Sequence, residues 1–491
     1  MSIDILYRND DSIKNAGYMS MRSIYHLCLD KALKLFFPDL NRSQYFYEIL
    51  TRPLTNSEDI RFRQDIFTDF TECDGLFDSL YNAFSKFKEA YVSHQRSKST
   101  AYGGMMSSGG GVGIAFSALQ MNALFTKRAM LYVRELYKVL EKAEIKSEGL
   151  IRLRDEIGAF ANDPNVDEAI RFSSKFEAIS LNKNADIKIQ VNDDGLICSA
   201  SLIDDKFVKY ASSNESKGFL SFFKKQKDEE ETKYYSFISS VDSEFYRSIV
   251  SGAYLDLSYA FEGWGAQIYD LFIPVFKQLE FYGVGLKYIS RLKHYGAPLC
   301  FPVITDKKGF DYVELYDMLL VMSNQSIKKV VPNTISVDSL KEGILIFGGN
   351  GSGKTVFLRS LGCMQVLAQG GLPVPAESSR VYPYSTIHTQ FSEGEKMFVK
   401  GNDAGRFEQE VSEIAEMVDR ISDNSLIILN ETFQTTAYDE GAKGLYHILK
   451  YFTGKNVMWI LVSHLTQLKD YYDKASAYFM HTDGEFHVVA D

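Results

Sequence analysis

The spacing of apolar residues divides this chain into stretches of different period. Up to about Val92 apolar positions recur every three or four residues, the period of helices that bury one face. Thr55 with Glu58, ahead of Ile60, Phe67 and Phe70, reads as a capping box at a helix start. Over 93–115 the pattern lapses into Gly103-Gly104, Ser107-Ser108 and Gly109-Gly110-Gly111, which carry too little apolar surface to pack, so a flexible loop is expected. Helical spacing resumes over about 116–176. Over 186–204 the period falls to two: Ile187, Ile189 and Val191 alternate, Asp194-Gly195 turns the chain and a second apolar run follows, predicting a hairpin. Helices return over about 243–293.

Beyond residue 331 the pattern is that of an α/β domain. Three apolar runs, at 343–347, 425–429 and 457–462, read as buried strands. The first is followed by a helical pattern of Phe357, Leu358, Leu361, Met364 and Leu367. Between the first two lies a stripe of Phe407, Val411, Ile414, Val418 and Ile421 with acids opposite, which predicts an amphipathic helix capped by Asn402 or Asp403. The whole is expected to be an α+β multidomain chain. A mainly helical core would occupy 1–180 and 241–330, a small β-rich insertion 181–240, and a domain with a phosphate-binding loop 331–491.

That loop is Gly348-Gly349-Asn350-Gly351-Ser352-Gly353-Lys354-Thr355, which fits G-x-x-x-x-G-K-[ST] and sits between a strand and a helix as the motif requires. Gly348, Asn350, Gly351, Ser352, Gly353 and Val356 are candidates to surround a polyphosphate with backbone N–H groups. Lys354 would reach the β/γ-phosphates of ATP or ADP, and the Thr355 hydroxyl would hold Mg²⁺. The strand at 425–429 ends in Asn430-Glu431. Glu431 is the candidate catalytic base and, with Thr355 and Asn430, a candidate at the metal. Asn430 is a neutral amide where an acid normally helps to hold Mg²⁺, so a weaker metal site and slow hydrolysis are expected. The third strand ends at Ser463-His464, where His464 is a candidate to sense or position the attacked phosphate.

The order of loop, capped acidic helix, strand-Asn-Glu and strand-His resembles the ATPase domain of the MutS family of DNA mismatch repair proteins. The likeness extends to Asn350, to the segment Leu367-Ala368-Gln369-Gly370-Gly371-Leu372-Pro373-Val374-Pro375-Ala376, and to Phe407 with Glu410. It also takes in Thr435-Thr436 with Asp439-Glu440-Gly441, Ser463-His464 and Val331-Pro332-Asn333. Upstream, Leu50-Thr51-Arg52-Pro53-Leu54 followed by Ile60, Arg63 and Gln64, and Leu279-Glu280-Phe281-Tyr282, look like the family's helical lever core. The resemblance implies an ATPase of DNA metabolism that uses ATP and Mg²⁺ to change dimer or clamp state. It implies DNA and a second copy or a related subunit as partners, and a signature helix formed by Gly405, Arg406, Phe407 and Glu410.

Departures from the family pattern sharpen that expectation. Core-like sequence begins near Met21-Arg22, so a short divergent paralogue without mismatch-reading and connector domains is expected. Phe-x-Glu, the family's wedge triplet, falls at Phe70, Phe87 and Phe391 and is assigned to chance. Gly405-Arg406 stand where the family has Ser and a small polar residue, and the chain reaches Val489-Ala490-Asp491 without the family's helical tail.

Composition narrows the partners. Of 491 residues 45% are hydrophobic and 14% aromatic, enough for two or three packed domains. Five scattered cysteines without a C-x-x-C pair suggest neither disulfides nor zinc, but reduced core residues. No signal pattern or apolar run of about 18 residues points to a membrane, which makes cytoplasm the expected compartment. A net charge of −10 argues against a broad basic surface, so DNA contact would rest on local patches or on encirclement. Lys224, Lys225 and Lys227 are the candidates, against the plainer reading of a solvated charged loop. Two further functional classes stay open. Asn430 and Gly405 favour an ATP switch that assembles with a related partner without hydrolysis, and a transporter's nucleotide subunit shares Gly351-Ser352-Gly353 but would need Leu-Ser-Gly-Gly-Gln.

Overall fold

The computed structural model describes residues 3–36, 40–105, 112–178, 187–191, 197–202, 244–338, 341–391, 406–433 and 437–491. They form two compact units. One comprises Met1–Ile3, Cys73–Ile145 and Leu150–Lys277; the other comprises Asp4–Glu72, Lys146–Gly149 and Gln278–Asp491.

The second unit opens with α1 (Asp10–Lys14), β1 (Tyr18–Met19), α2 (Met21–His26), α3 (Leu29–Phe36), α4 (Leu40–Leu50) and α5 (Ser57–Glu72). The capping box expected at Thr55 and Glu58 does not form. The Thr55 hydroxyl donates to the Asn15 carbonyl, and Asn56 Oδ1 instead accepts the Glu58 N–H at 2.7 Å. An Asn one position later caps the helix equally well, and the Glu58 carboxylate is taken by Arg8.

Within α5, Arg63 is fully buried. Its Nε donates to the Leu6 carbonyl at 2.7 Å and Nη1 to the Gly370 carbonyl at 3.3 Å, while the guanidinium lies over the rings of Tyr7 and Phe281. Backbone dipoles and aromatic faces therefore surround this charge. Gly371 allows the approach: its φ of +78° suits glycine, and a Cβ there would come within 2.5 Å of Arg63 Cβ.

The first unit is mainly helical: α6 (Leu76–Met105), α7 (Val112–Lys142), α8 (Glu148–Ala161) and α9 (Pro164–Ala178), then the antiparallel pair β2 (Ile187–Val191) and β3 (Ile197–Leu202), then α10 (Glu244–His294). Residues from Gln278 onward in α10 count with the other unit. Phe116, Leu119, Phe172, Phe176 and Phe261 pack into its core. Helix covers most of the flexible loop expected over 93–115, since α6 runs on to Met105 and α7 starts at Val112, and 106–111 lie outside the described residues. The apolar face of 76–92 carries helical structure into the Gly/Ser stretch, because adding residues to an existing helix costs far less than starting one.

The remainder builds two sheets. In chain order the elements are β4 (Val303–Ile304), β5 (Gly309–Leu315), α11 (Met318–Asn324), β6 (Asn333–Asp338), β7 (Gly343–Phe347), α12 (Lys354–Gln369), β8 (Ser378–Val381), β9 (Thr386–Phe391), α13 (Arg406–Val418), β10 (Leu426–Asn430), α14 (Tyr438–Gly454), β11 (Met458–Val462), β12 (Tyr478–Thr482) and β13 (Val488–Ala490). The smaller sheet has the order β4-β8-β5-β6 and the larger β1-β9-β10-β11-β7-β12-β13. In the larger sheet every pairing is parallel except β12 with β13. All five residues of β7, β10 and β11 are buried, as expected of central parallel strands covered on both faces.

Helix α13 turns a different face inward from the predicted stripe. Ile414 is buried and Val418 and Ile421 pack at the core's edge, but Phe407 and Val411 are exposed, and Glu410 and Met417 are buried instead. A helix with apolar residues on more than one side can rotate to whichever face meets its neighbours. Here a buried backbone donor draws Glu410 inward. Of the described cysteines only Cys363 is buried; Cys28, Cys73 and Cys300 are half-exposed, which corrects the expectation that all are core residues. Among the described residues no helix is long and apolar enough to cross a membrane.

Candidate functional site

Parallel sheets bind ligands beyond the carboxyl ends of their strands, and here the ends of β9, β10, β11, β7 and β12 lie side by side. β7 runs into the glycine-rich loop. Gly348 has φ +155°, and a Cβ there would collide with the Thr482 hydroxyl at the end of β12. Gly353, at φ +91°, stands at the start of α12 with no side-chain cap. The first amides of α12 are therefore left to face an anion, and the helix dipole adds partial positive charge. A Cβ on Gly349 or Gly351 would meet nothing within 4 Å, so the loop is open on that side. Asn350 is exposed at its tip. The Thr482 hydroxyl donates to Ser352 Oγ at 2.6 Å and ties the loop to β12.

Lys354 is buried, and its Nζ donates to the carbonyls of Gly348 at 2.9 Å and Gly349 at 2.7 Å. Burial pulls its ammonium below the ordinary lysine value, and the charge of Glu431 acts in the opposite direction. Thr355 Oγ1 donates to Asn430 Oδ1 at 3.1 Å, so the last residue of β10 meets the first turn of α12. The next residue, Glu431, has left-handed backbone (φ +59°), and its N–H donates to the Val462 carbonyl at 2.9 Å. Beyond β11, the Ser463 N–H donates to the Ile346 carbonyl at 3.1 Å, and His464 Nε2 lies 3.2 Å from Glu431 Oε1. The structure thus brings Lys354, Thr355, Asn430, Glu431 and His464 to one sheet edge.

Beside the loop lies a cavity of about 420 Å³ whose walls include Val331, Asn333, Val356, Asp317 and Phe486. Asp317 Oδ1 accepts the Leu320 N–H at 2.8 Å, and Oδ2 accepts from Arg359 Nε at 2.7 Å. Its charge is thereby compensated. Phe486 has left-handed backbone (φ +69°) in the turn between β12 and β13, and is 52% exposed beside Gly353. Sequence reasoning did not find Asp317, Arg359, Phe486 or Thr482, because isolated residues distant in the chain carry no spacing signal.

The signature-helix candidates are only partly within view. Gly405, Lys224, Lys225, Lys227 and Thr435-Thr436 lie outside the described residues. Arg406 opens α13; the Phe407 ring centroid is 5.3 Å from that of Phe433, and Glu410 Oε2 accepts the Phe433 N–H at 2.8 Å. No cluster of three or more His, Cys, Asp or Glu poised around a metal occurs among the described residues, and the oxygen pair at Thr355 and Asn430 is of another kind.

The profile of MutS domain V matches residues 344–485. The chain is similar to a mitochondrial DNA mismatch repair protein mutS homolog of Sarcophyton glaucum, at 25% identity over 213 residues, 43% of this chain and 21% of that protein. It is also similar to Endonuclease MutS2 of Lactococcus lactis subsp. cremoris (strain MG1363), 31% identical over 145 residues, 29% of this chain and 18% of the relative. Endonuclease MutS2 of Streptococcus equi subsp. equi (strain 4047) is 30% identical over 171 residues, 35% and 21% respectively. The chain thus spans about a fifth of the length of these relatives.

Proposed function

From the premise that this chain belongs to the MutS family, through the domain matched at 344–485, we propose that it binds and slowly hydrolyses ATP and uses the nucleotide to switch its association with DNA and with a second copy or related subunit. The observation that carries the reading is the meeting of Lys354, Thr355, Asn430, Glu431 and His464 at one sheet edge. A nucleoside triphosphate fits this setting, since the loop is open at Gly349 and Gly351 and a partly apolar cavity adjoins it. Mg²⁺-ATP, when bound, supplies the phosphoanhydride bond to be broken and a Lewis acid on its phosphates.

The chain's own groups divide the remaining work. Lys354 and the first amides of α12 neutralise the phosphates. Thr355 Oγ1 and Asn430 Oδ1 would hold the metal, Glu431 orients and deprotonates the attacking water, and His464 fixes the Glu431 carboxylate. Val331 and Phe486 offer apolar surface to the base. Lys354→Ala is expected to weaken ATP binding by at least about tenfold, since a charge-assisted contact contributes about 1.5–3 kcal/mol. Titration with fluorescent ATP checks this, and unchanged binding would rule the loop out as the phosphate site.

The neutral Asn430 supports the second reading, an ATP switch that hydrolyses little. Adding a charge at this position separates the two. Asn430→Asp is expected to lower the Mg²⁺ concentration for half-maximal hydrolysis by about tenfold, equivalent to ~1.4 kcal/mol of added cation attraction. A magnesium series on both proteins measures it. A flat response would leave the switch reading in place. The partners rest on kinship with proteins named for DNA mismatch repair and endonuclease action.

A further inference from the structure

The turn that carries Glu431 is held by contacts from three elements. Glu431 and Phe433 both have left-handed backbone, at φ +59° and +62°, on either side of Thr432. A residue without glycine's freedom is strained in this region, so the turn persists only where neighbours enforce it. One restraint is the bond from the Glu431 N–H to the Val462 carbonyl of β11. A second comes from α13, where Glu410, 3% exposed, accepts the Phe433 N–H at 2.8 Å. The third comes from β9, where Gln390 Oε1 accepts the hydroxyl of the fully buried Thr432. The Nε2 of Gln390 is itself buried and, among the described residues, has no hydrogen-bond partner. The Thr432 hydroxyl thus helps to orient its amide.

A buried carboxylate is costly to desolvate, and it is used here on a backbone N–H two residues from the candidate base. We propose that Glu410 is a positioning residue for hydrolysis: through the Phe433 N–H, and with Thr432 and Gln390 beside it, it holds Glu431 in register with the attacking water. The inference rests on the ATPase reading above and deepens it. It gives α13 a mechanical consequence. The exposed Phe407 lies about one turn before Glu410 and the exposed Val411 directly follows it, so whatever displaces this helix also displaces the catalytic carboxylate.

The test compares Glu410→Ala, Glu410→Gln and Thr432→Val in the full chain, reading kcat and ATP affinity separately. Glu410→Ala is expected to lower kcat by about 10- to 100-fold, the scale of a catalytic group shifted by ångströms, with ATP affinity changed less than about threefold. Glu410→Gln keeps an oxygen acceptor for the Phe433 N–H and is expected to recover most of the rate. Thr432→Val keeps the shape but not the bond to Gln390 and should lower kcat alone, which gives a reading even if Glu410→Ala fails to fold. An alanine variant that turns over like wild type, a glutamine variant no better than alanine, or affinity lost in step with rate would each overturn the proposal. A wild-type chain without hydrolysis would overturn both this inference and the ATPase reading. Hydrolysis by wild type that is equalled by Glu410→Ala and Thr432→Val would overturn this one alone.

Discussion

Glu431→Gln is expected to stop turnover while leaving ATP bound. The amide has the shape of the carboxylate and can still hold a water, but it cannot take the proton that the water must lose. A positioned general base contributes about 100- to 10,000-fold to rate, and that is the loss expected in kcat. Binding should stay within about threefold of wild type, because the group acts in the transition state more than in the ground state. Loss of the negative charge also removes the interaction that raises the affinity of the nearby Lys354 for its proton. Single-turnover hydrolysis of labelled ATP, with filter binding on the same protein, separates the two quantities. Turnover at the wild-type rate would exclude Glu431 as the base and, with it, the pairing to His464 as a catalytic contact.

Arg63→Ala is expected to be the most damaging change outside the site. It deletes a fully buried side chain, leaves the Leu6 and Gly370 carbonyls without their donor, and opens a cavity between Tyr7 and Phe281. Large-to-small replacement and unpaired buried acceptors together cost about 3–5 kcal/mol. At the scale of this unit that lowers the melting temperature by roughly 6–15 °C. Arg63→Lys keeps the charge but lacks the planar fork that spans two carbonyls, and should recover only part of the loss. Thermal unfolding of the three proteins measures this. Because Gly370 ends α12, the helix that starts at Lys354, nucleotide affinity is a useful second readout. A melting point within 2 °C of wild type, less than about 1 kcal/mol, would show that the bonds to Leu6 and Gly370 contribute little.

The chain carries its site in short-range code. Glycine spacing, a lysine and a hydroxyl after a five-residue apolar run dictate a strand, a phosphate-sized loop and a helix, since only glycine accepts the backbone of Gly348 and Gly353. The runs before Asn430-Glu431 and Ser463-His464 are apolar on both faces, which suits central parallel strands, and the carboxyl ends of such strands lie together. Those features are local, so periodicity reveals them. Contacts across long chain distances decided the rest. The two-residue strand at Tyr18–Met19 is too short to show a period, yet it pairs with β9 because an open sheet edge offers it backbone partners. The cap of α5 passed from Thr55 to Asn56 because Arg8 and Asn15 engage the Thr55 and Glu58 side chains. The rotation of α13 could not be read from its stripe. An acid reads as solvent-facing on any helical wheel, whereas the Phe433 N–H, brought beneath it by the left-handed turn at Glu431, favours burial of Glu410.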